Sequence, residues 1–331
     1  MKGKCALMPG GRHFVGFWTL RVLGAGLTAS LVACAPPRGD SIVVGAKNFT
    51  ESVVVGELMA QEIEAEFAAE GRPQRVERRF YLAGSYLCQQ ALVSGRIDGY
   101  VEYSGTALTA ILKQPLPKTH DAGEVNATIS RLYEQRYKVR VEPGLGFEDT
   151  FALVVRGDEA RRFHWETISD LKRGVETGQP SSQTREVGHP SSGLLRLGVG
   201  YEFQARPDGL DGLEKAYGLA FRTPRVMDLG LLYRALGANQ VDVVAGNSTD
   251  GPIRALGFQV LQDDLHYFPP YEAVPLVRED ALGRHPEIGR AMHRLAGTVT
   301  AEEMQAMNEA VDGKHEDVGV VVREFRAQKG L

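Results

Sequence analysis

The residues best able to do chemistry in this chain lie in five short, separated segments: GAKNFTE (Gly45–Glu51), EYSGT (Glu102–Thr106), RPDG (Arg206–Gly209), STDG (Ser248–Gly251) and FPPYE (Phe268–Glu272). Each places a cation, a hydroxyl or an aromatic ring at a strand end or in a loop, where an α/β scaffold presents binding groups. This is binding chemistry rather than turnover chemistry. Ser191-Ser192-Gly193 lacks the strand–turn–helix setting of a nucleophile elbow. His164, His266, His285 and His293 have no metal-ligand spacing, and the last two read as surface residues around a helix start. Gly198-Val199-Gly200 is not followed by the third glycine of a dinucleotide fingerprint, and no GxxxxGK[ST] phosphate loop is present. The chain reads as a non-enzyme without a cofactor or metal.

The composition fits that reading. At 331 residues the chain can form two domains around large cores. Its 43% hydrophobic and 24% charged residues are those of a soluble globular protein. Net charge is −4, and Lys and Arg are spread along the chain with no basic stripe, which argues against a nucleic-acid partner.

The N-terminus predicts export. Lys2, Lys4, Arg12 and Arg21 flank the apolar run Val22–Ala33, which has the length of a signal core and is too short to span a bilayer. The run ends in Leu31-Val32-Ala33-Cys34, which looks like a lipobox. The expectation is a signal over 1–34, lipid attachment at Cys34, a tether over 35–40 and an address on the periplasmic or outer cell surface. The competing cut after Ala33-Cys34-Ala35 would leave Pro36 next to it, which is unfavourable. Cys5 leaves with the signal, Cys34 carries the lipid, and Cys88 reads as a small buried hydrophobe.

Strand and helix patterns then alternate. Strands are expected at Ile42–Gly45, Val76–Tyr81, Ile97–Val101, Lys138–Val141, Phe151–Val155, Leu195–Val199 and Val241–Ala245. Helices are expected over Glu51–Ala69, Ser85–Ser94, Asp121–Arg136, Ser169–Arg173, Gly212–Tyr217 and Leu229–Leu236, and through most of Glu279–Lys329. Glu51 suits the positive end of its helix. This order predicts an α/β fold with mostly parallel, helix-covered sheets. Gly174–Gly193, rich in Gly, Ser and Pro, reads as an exposed inserted loop.

Taken in order, the five segments and the export signal resemble the substrate-binding proteins of ABC importers for quaternary amines, the glycine betaine/carnitine/choline type. The resemblance runs from Ser41 to the C-terminus. It implies a periplasmic-binding-protein type II fold, two lobes with a ligand cleft between them. Lobe 1 would comprise 41–146 and 270–331, and lobe 2 would comprise 147–269. A quaternary ammonium cannot donate a hydrogen bond, and its diffuse charge suits a box of aromatic faces. A betaine's carboxylate wants Lys or Arg with hydroxyl donors. By resemblance, Lys47 faces the carboxylate, Tyr103 and Thr106 supply a wall and a donor, Arg206 grips the carboxylate, and Tyr271 is a further wall. Two positions depart from the pattern. Phe151 stands where relatives carry Tyr, which keeps a π-face and loses a hydroxyl. Asn247 replaces a Tyr before STDG and puts an amide where a wall would be. Asp149 and Asp250 read as loop braces or helix caps.

The implied function is an extracytoplasmic, monomeric receptor. It would deliver a small quaternary amine to a membrane permease and, through it, to ATPase subunits. The alternative is a lipoprotein that senses a quaternary amine without a transport partner.

Overall fold

The computed structural model describes residues 41–115, 121–172 and 194–331. The expected signal over 1–34, the lipidated Cys34, the tether over 35–40, the 174–193 loop and Ser191–Gly193 lie outside the described residues.

The strands are β1 (Val43–Gly45), β2 (Glu77–Arg79), β3 (Gly99–Tyr103), β4 (Val139–Val141), β5 (Phe151–Arg156), β6 (Arg196–Val199), β7 (Arg222–Val226), β8 (Val243–Asn247), β9 (Phe258–Val260) and β10 (Ala273–Arg278). The helices are α1 (Thr50–Ala69), α2 (Ser85–Val93), α3 (Ser104–Thr106), α4 (Ala122–Tyr137), α5 (Gly157–Phe163), α6 (Tyr201–Ala205), α7 (Leu210–Tyr217), α8 (Leu229–Gly237), α9 (Gly251–Ala255), α10 (Glu279–Arg284), α11 (Pro286–Leu295), α12 (Ala301–Asp312) and α13 (Val318–Lys329). A π-helical stretch, Ala107–Ile111, continues α3.

The strands form two five-stranded sheets, ordered β2-β1-β3-β10-β4 and β7-β6-β8-β5-β9. Each has four strands running one way and a single strand, β10 or β5, running against them, so the sheets are mixed. The reason is connectivity. The chain leaves the first sheet after β4, builds all of the second, and returns as β10 antiparallel to β3. β7 and β10 escape a periodicity reading because each contains a proline, Pro224 or Pro275. β7 lies at a sheet edge, where a missing N–H costs little. In β10 the Pro275 carbonyl still takes the Glu142 N–H at 2.9 Å.

Helix ends follow local chemistry. Asp121 accepts the Gly123 and Glu124 N–H groups at the start of α4. Thr300 and Glu303 form a reciprocal capping box at the start of α12. α1 is buried on more than one face, because the first sheet lies on one side and α11, α12 and α13 on others. Leu58, Ile63 and Phe67 are fully buried there. His285 is not a surface residue. It is 5% exposed, with its ring set edge-on to Phe67 at 6.0 Å.

A buried acidic cluster joins the two lobes. Glu51, in the first turn of α1, meets the hydroxyl of Thr249, which follows β8 of the second sheet, and accepts from the Asn308 amide at 2.9 Å. Thr249 Oγ1 also lies 2.7 Å from Asp149 Oδ1. A hydroxyl has one proton to give, so it serves both carboxyls only when one of them is protonated. Burial pushes the Glu51 carboxyl up despite its hydrogen bonds, and burial with the charges of Glu51 and Asp250 pushes Asp149 well up. Asp250 is pushed up to about 7, mainly by burial. Glu51 is thus a buried partner in a proton-sharing cluster, not simply a complement to the helix dipole.

Two outcomes are expected. Leu58→Ala should cost about 2–5 kcal/mol of stability, read by urea unfolding, because it empties a fully buried site. A carboxyl whose folded pKa is raised contributes stability below its unfolded pKa and loses it as pH rises through the folded one. For Asp250 that loss runs from its ordinary value of 3.8 to about 7. The melting temperature should therefore fall between about pH 4 and pH 7, and fall less in Asp250→Asn, which keeps an acceptor for Tyr233 and the Asn247 N–H.

Candidate ligand site between the two lobes

A cavity of about 230 Å³ lies between the sheets. Lys47, Tyr103, Thr106, Phe151, Arg206, Asn247 and Tyr271 all line it, so the structure brings every one of these predicted residues together. They arrive from strand ends. Lys47 follows β1, and Tyr103 ends β3 with Thr106 just beyond it. Phe151 opens β5 and Asn247 closes β8, directly opposite each other in the ladder and hence on one face of the sheet.

Both cations are buried, Lys47 at 3% exposure and Arg206 at 4%, and each is neutralised in place. Lys47 Nζ is ion-paired with Glu102. Glu102 also accepts the Tyr103 N–H at 2.9 Å and the Tyr100 O–H at 3.1 Å. Arg206 donates through Nε to Asp208 Oδ1 at 2.9 Å and through its other arm to Oδ2. Its remaining arm donates to Thr106 Oγ1 at 2.8 Å, across the cleft. Asp208 further accepts from Thr109 at 2.9 Å and from the Tyr271 O–H. Burial opposes the Asp208 charge, but the Arg206 hydrogen bond and charge outweigh it and hold the carboxyl below its ordinary value.

The rings form a connected cluster. Phe151 is 5.7 Å from Tyr271 and 4.9 Å from Phe203, both edge-on. Tyr103 is 6.3 Å from Phe49. The protein's own cations sit over two of these rings: Lys47 Nζ is 4.8 Å from the Tyr103 centroid, and the Arg206 guanidinium carbon is 4.6 Å from that of Phe151. Burial and the Glu51 charge raise the Tyr103 phenol, which stays protonated and donates to Glu51 at 2.6 Å.

The segments interlock. Ser104 of EYSGT donates to the Pro270 carbonyl at 2.9 Å and accepts the Glu272 N–H at 3.0 Å, which ties it to FPPYE. Gly105 leaves room for Tyr271, since a Cβ there would lie 2.6 Å from that ring. Asp149 and Asp250 do brace loops, through Thr249 and through Asn247. Asp149 also lines the cavity.

Phe49, Glu202, Phe203 and Asp228 line the cavity too and escaped the sequence reading. Phe49 lies within GAKNFTE, and Phe203 lies one helical turn before Arg206, so both had a signal in spacing to known candidates. Glu202 and Asp228 had none, because an exposed-looking acid at a helix start is common.

Comparison with known proteins places the chain in a family. A profile of the substrate-binding domain of the ABC-type glycine betaine transport system matches residues 40–328. The chain is 30% identical over 318 residues to the carnitine transport binding protein OpuCC of Listeria monocytogenes, covering 95% of this chain and 96% of that one. It is 30% identical over 305 residues to a glycine-betaine-binding protein of Pseudomonas aeruginosa, covering 92% of each. A crystal structure described as a glycine betaine/carnitine/choline ABC transporter matches with a TM-score of 0.69 at 30% identity, over 88% of this chain and 99% of that one. The two lobes and mixed sheets are those of a type II periplasmic binding protein. The chain belongs to the family of substrate-binding domains of ABC-type glycine betaine transport systems, extracytoplasmic solute receptors that serve a membrane permease.

Proposed function

We propose that this receptor binds a quaternary ammonium compound in the cavity and hands it to its permease, with Lys47, Tyr103, Thr106, Phe151, Arg206, Asn247 and Tyr271 as the ligand-contacting set. The observation that carries this is the convergence of aromatic rings and charge-balanced cations in one cavity between two lobes. Tyr103, Phe151 and Tyr271 give the trimethylammonium head π-faces worth about 0.5–2 kcal/mol each. Arg206 and the Thr106 O–H suit an anionic or polar end. Lys47 and Arg206 already have counter-charges in Glu102 and Asp208, so a ligand carboxylate need not be their only partner.

Lobe 1 is assigned to 41–146 with 270–331, and lobe 2 to 147–269. The proposed monomer is held at a membrane through lipid on Cys34 and has no enzymatic activity.

Titration of the protein with glycine betaine, choline and carnitine tests the reading, and binding of at least one is expected. Tyr103→Ala removes a wall and should weaken binding about tenfold or more. Asn247→Tyr adds one and should tighten glycine betaine about threefold to thirtyfold. Absence of binding to all three would overturn the ligand assignment.

A further inference from the structure

Glu202 stands second in α6, the helix that follows β6 in the second sheet. Its carboxylate reaches across the cleft, where Oε1 accepts the Ser85 N–H at the start of α2 at 2.8 Å. The approach is close enough that a Cβ on Gly84 would lie 2.0 Å from that oxygen. Among the described residues no donor lies within hydrogen-bond distance of Oε2, and Glu202 lines the cavity. Asn247 also lines the cavity and is held through its backbone N–H, which donates to Asp250 at 2.9 Å. The two cations of the cavity, Lys47 and Arg206, are already engaged by Glu102 and Asp208. Glu202 Oε2 is therefore a cavity acceptor that the described residues leave without a donor.

Resting on the receptor reading above, we infer that Glu202 is a specificity-determining residue that selects quaternary ammonium compounds carrying a hydrogen-bond donor, a hydroxyl above all. One carboxylate oxygen is fixed on α2 across the cleft, and the other meets the ligand donor. A ligand with no donor leaves Oε2 stripped of water and unpaired when it fills the cavity. Glycine betaine has no donor, whereas choline and carnitine each have a hydroxyl. Because the same carboxylate bridges the lobes, a donor on the ligand also steadies the closed arrangement.

The test is calorimetric titration of the protein with two matched pairs: carnitine against its deoxy analogue, and choline against ethyltrimethylammonium. Each pair differs at the hydroxyl. The hydroxylated member of a pair that binds should bind about ten- to a hundredfold more tightly, as expected for a charge-assisted hydrogen bond. In Glu202→Ala that ratio should collapse toward one. In Glu202→Gln, which keeps the side-chain shape and an acceptor for Ser85, it should shrink to a few-fold. A purely structural role for Glu202 would weaken both members equally and leave the ratio intact, which overturns the inference. Equal affinity within the pairs in the wild type overturns it too, while leaving the receptor reading standing. If neither pair nor any other quaternary amine binds, the receptor's ligand class is wrong and this inference falls with it.

Discussion

The structure of the cleft depends on one constraint: two cations are held almost free of water between the lobes. A buried ion is costly unless it is paired and hydrogen-bonded. Lys47 and Arg206 meet that demand through Glu102 and Asp208, and the demand spreads outward from there. Glu102 needs β3 to be fixed so that its carboxylate receives Lys47, Tyr100 and the Tyr103 N–H together. Asp208 needs Thr109, just beyond β3, and Tyr271, just before β10. The charge pairs thus set the positions of the rings as well as of the cations.

The rings then take a shape that depends on both lobes. Phe151 comes from the second sheet, Tyr103 from the first, and Tyr271 from the segment that returns between them. No single lobe holds a complete wall. Cross-cleft bonds from Arg206 to Thr106, from Thr109 to Asp208 and from Thr249 to Glu51 bring the parts into register. Two-lobed receptors use this arrangement to couple filling of the cleft to closure. Here the coupling has named atoms, and part of it lies in a cluster whose carboxyls hold protons more tightly than usual.

Much of this was legible in the sequence. The cavity-lining residues occupy short motifs at strand ends, and these motifs are locked to one another, as Ser104 is to the Pro270 carbonyl. Other features were hidden for physical reasons. The Pro275 ring disguised β10, so the mixed character of the sheet could not be read from periodicity. His285 looked like a surface residue because its burial against Phe67 is set by α1, remote in the chain. Glu51 suited a helix N-terminus, yet its partners Thr249 and Asn308 lie about two hundred or more residues away. Glu202 carries no local signal at all, since its partner Ser85 is 117 positions earlier. Long-range polar pairing is where a single sequence says least.

The central claim is that a positive charge, not shape alone, is recognised by the rings of this cleft. The most direct measurement compares calorimetric affinities for choline and for its neutral analogue, in which carbon replaces nitrogen and the size is nearly unchanged. The account predicts that choline binds at least about tenfold more tightly than its neutral twin, the sum of several ring faces acting on one cation. Equal affinity for the two would contradict it and reduce the aromatic cluster to an apolar wall.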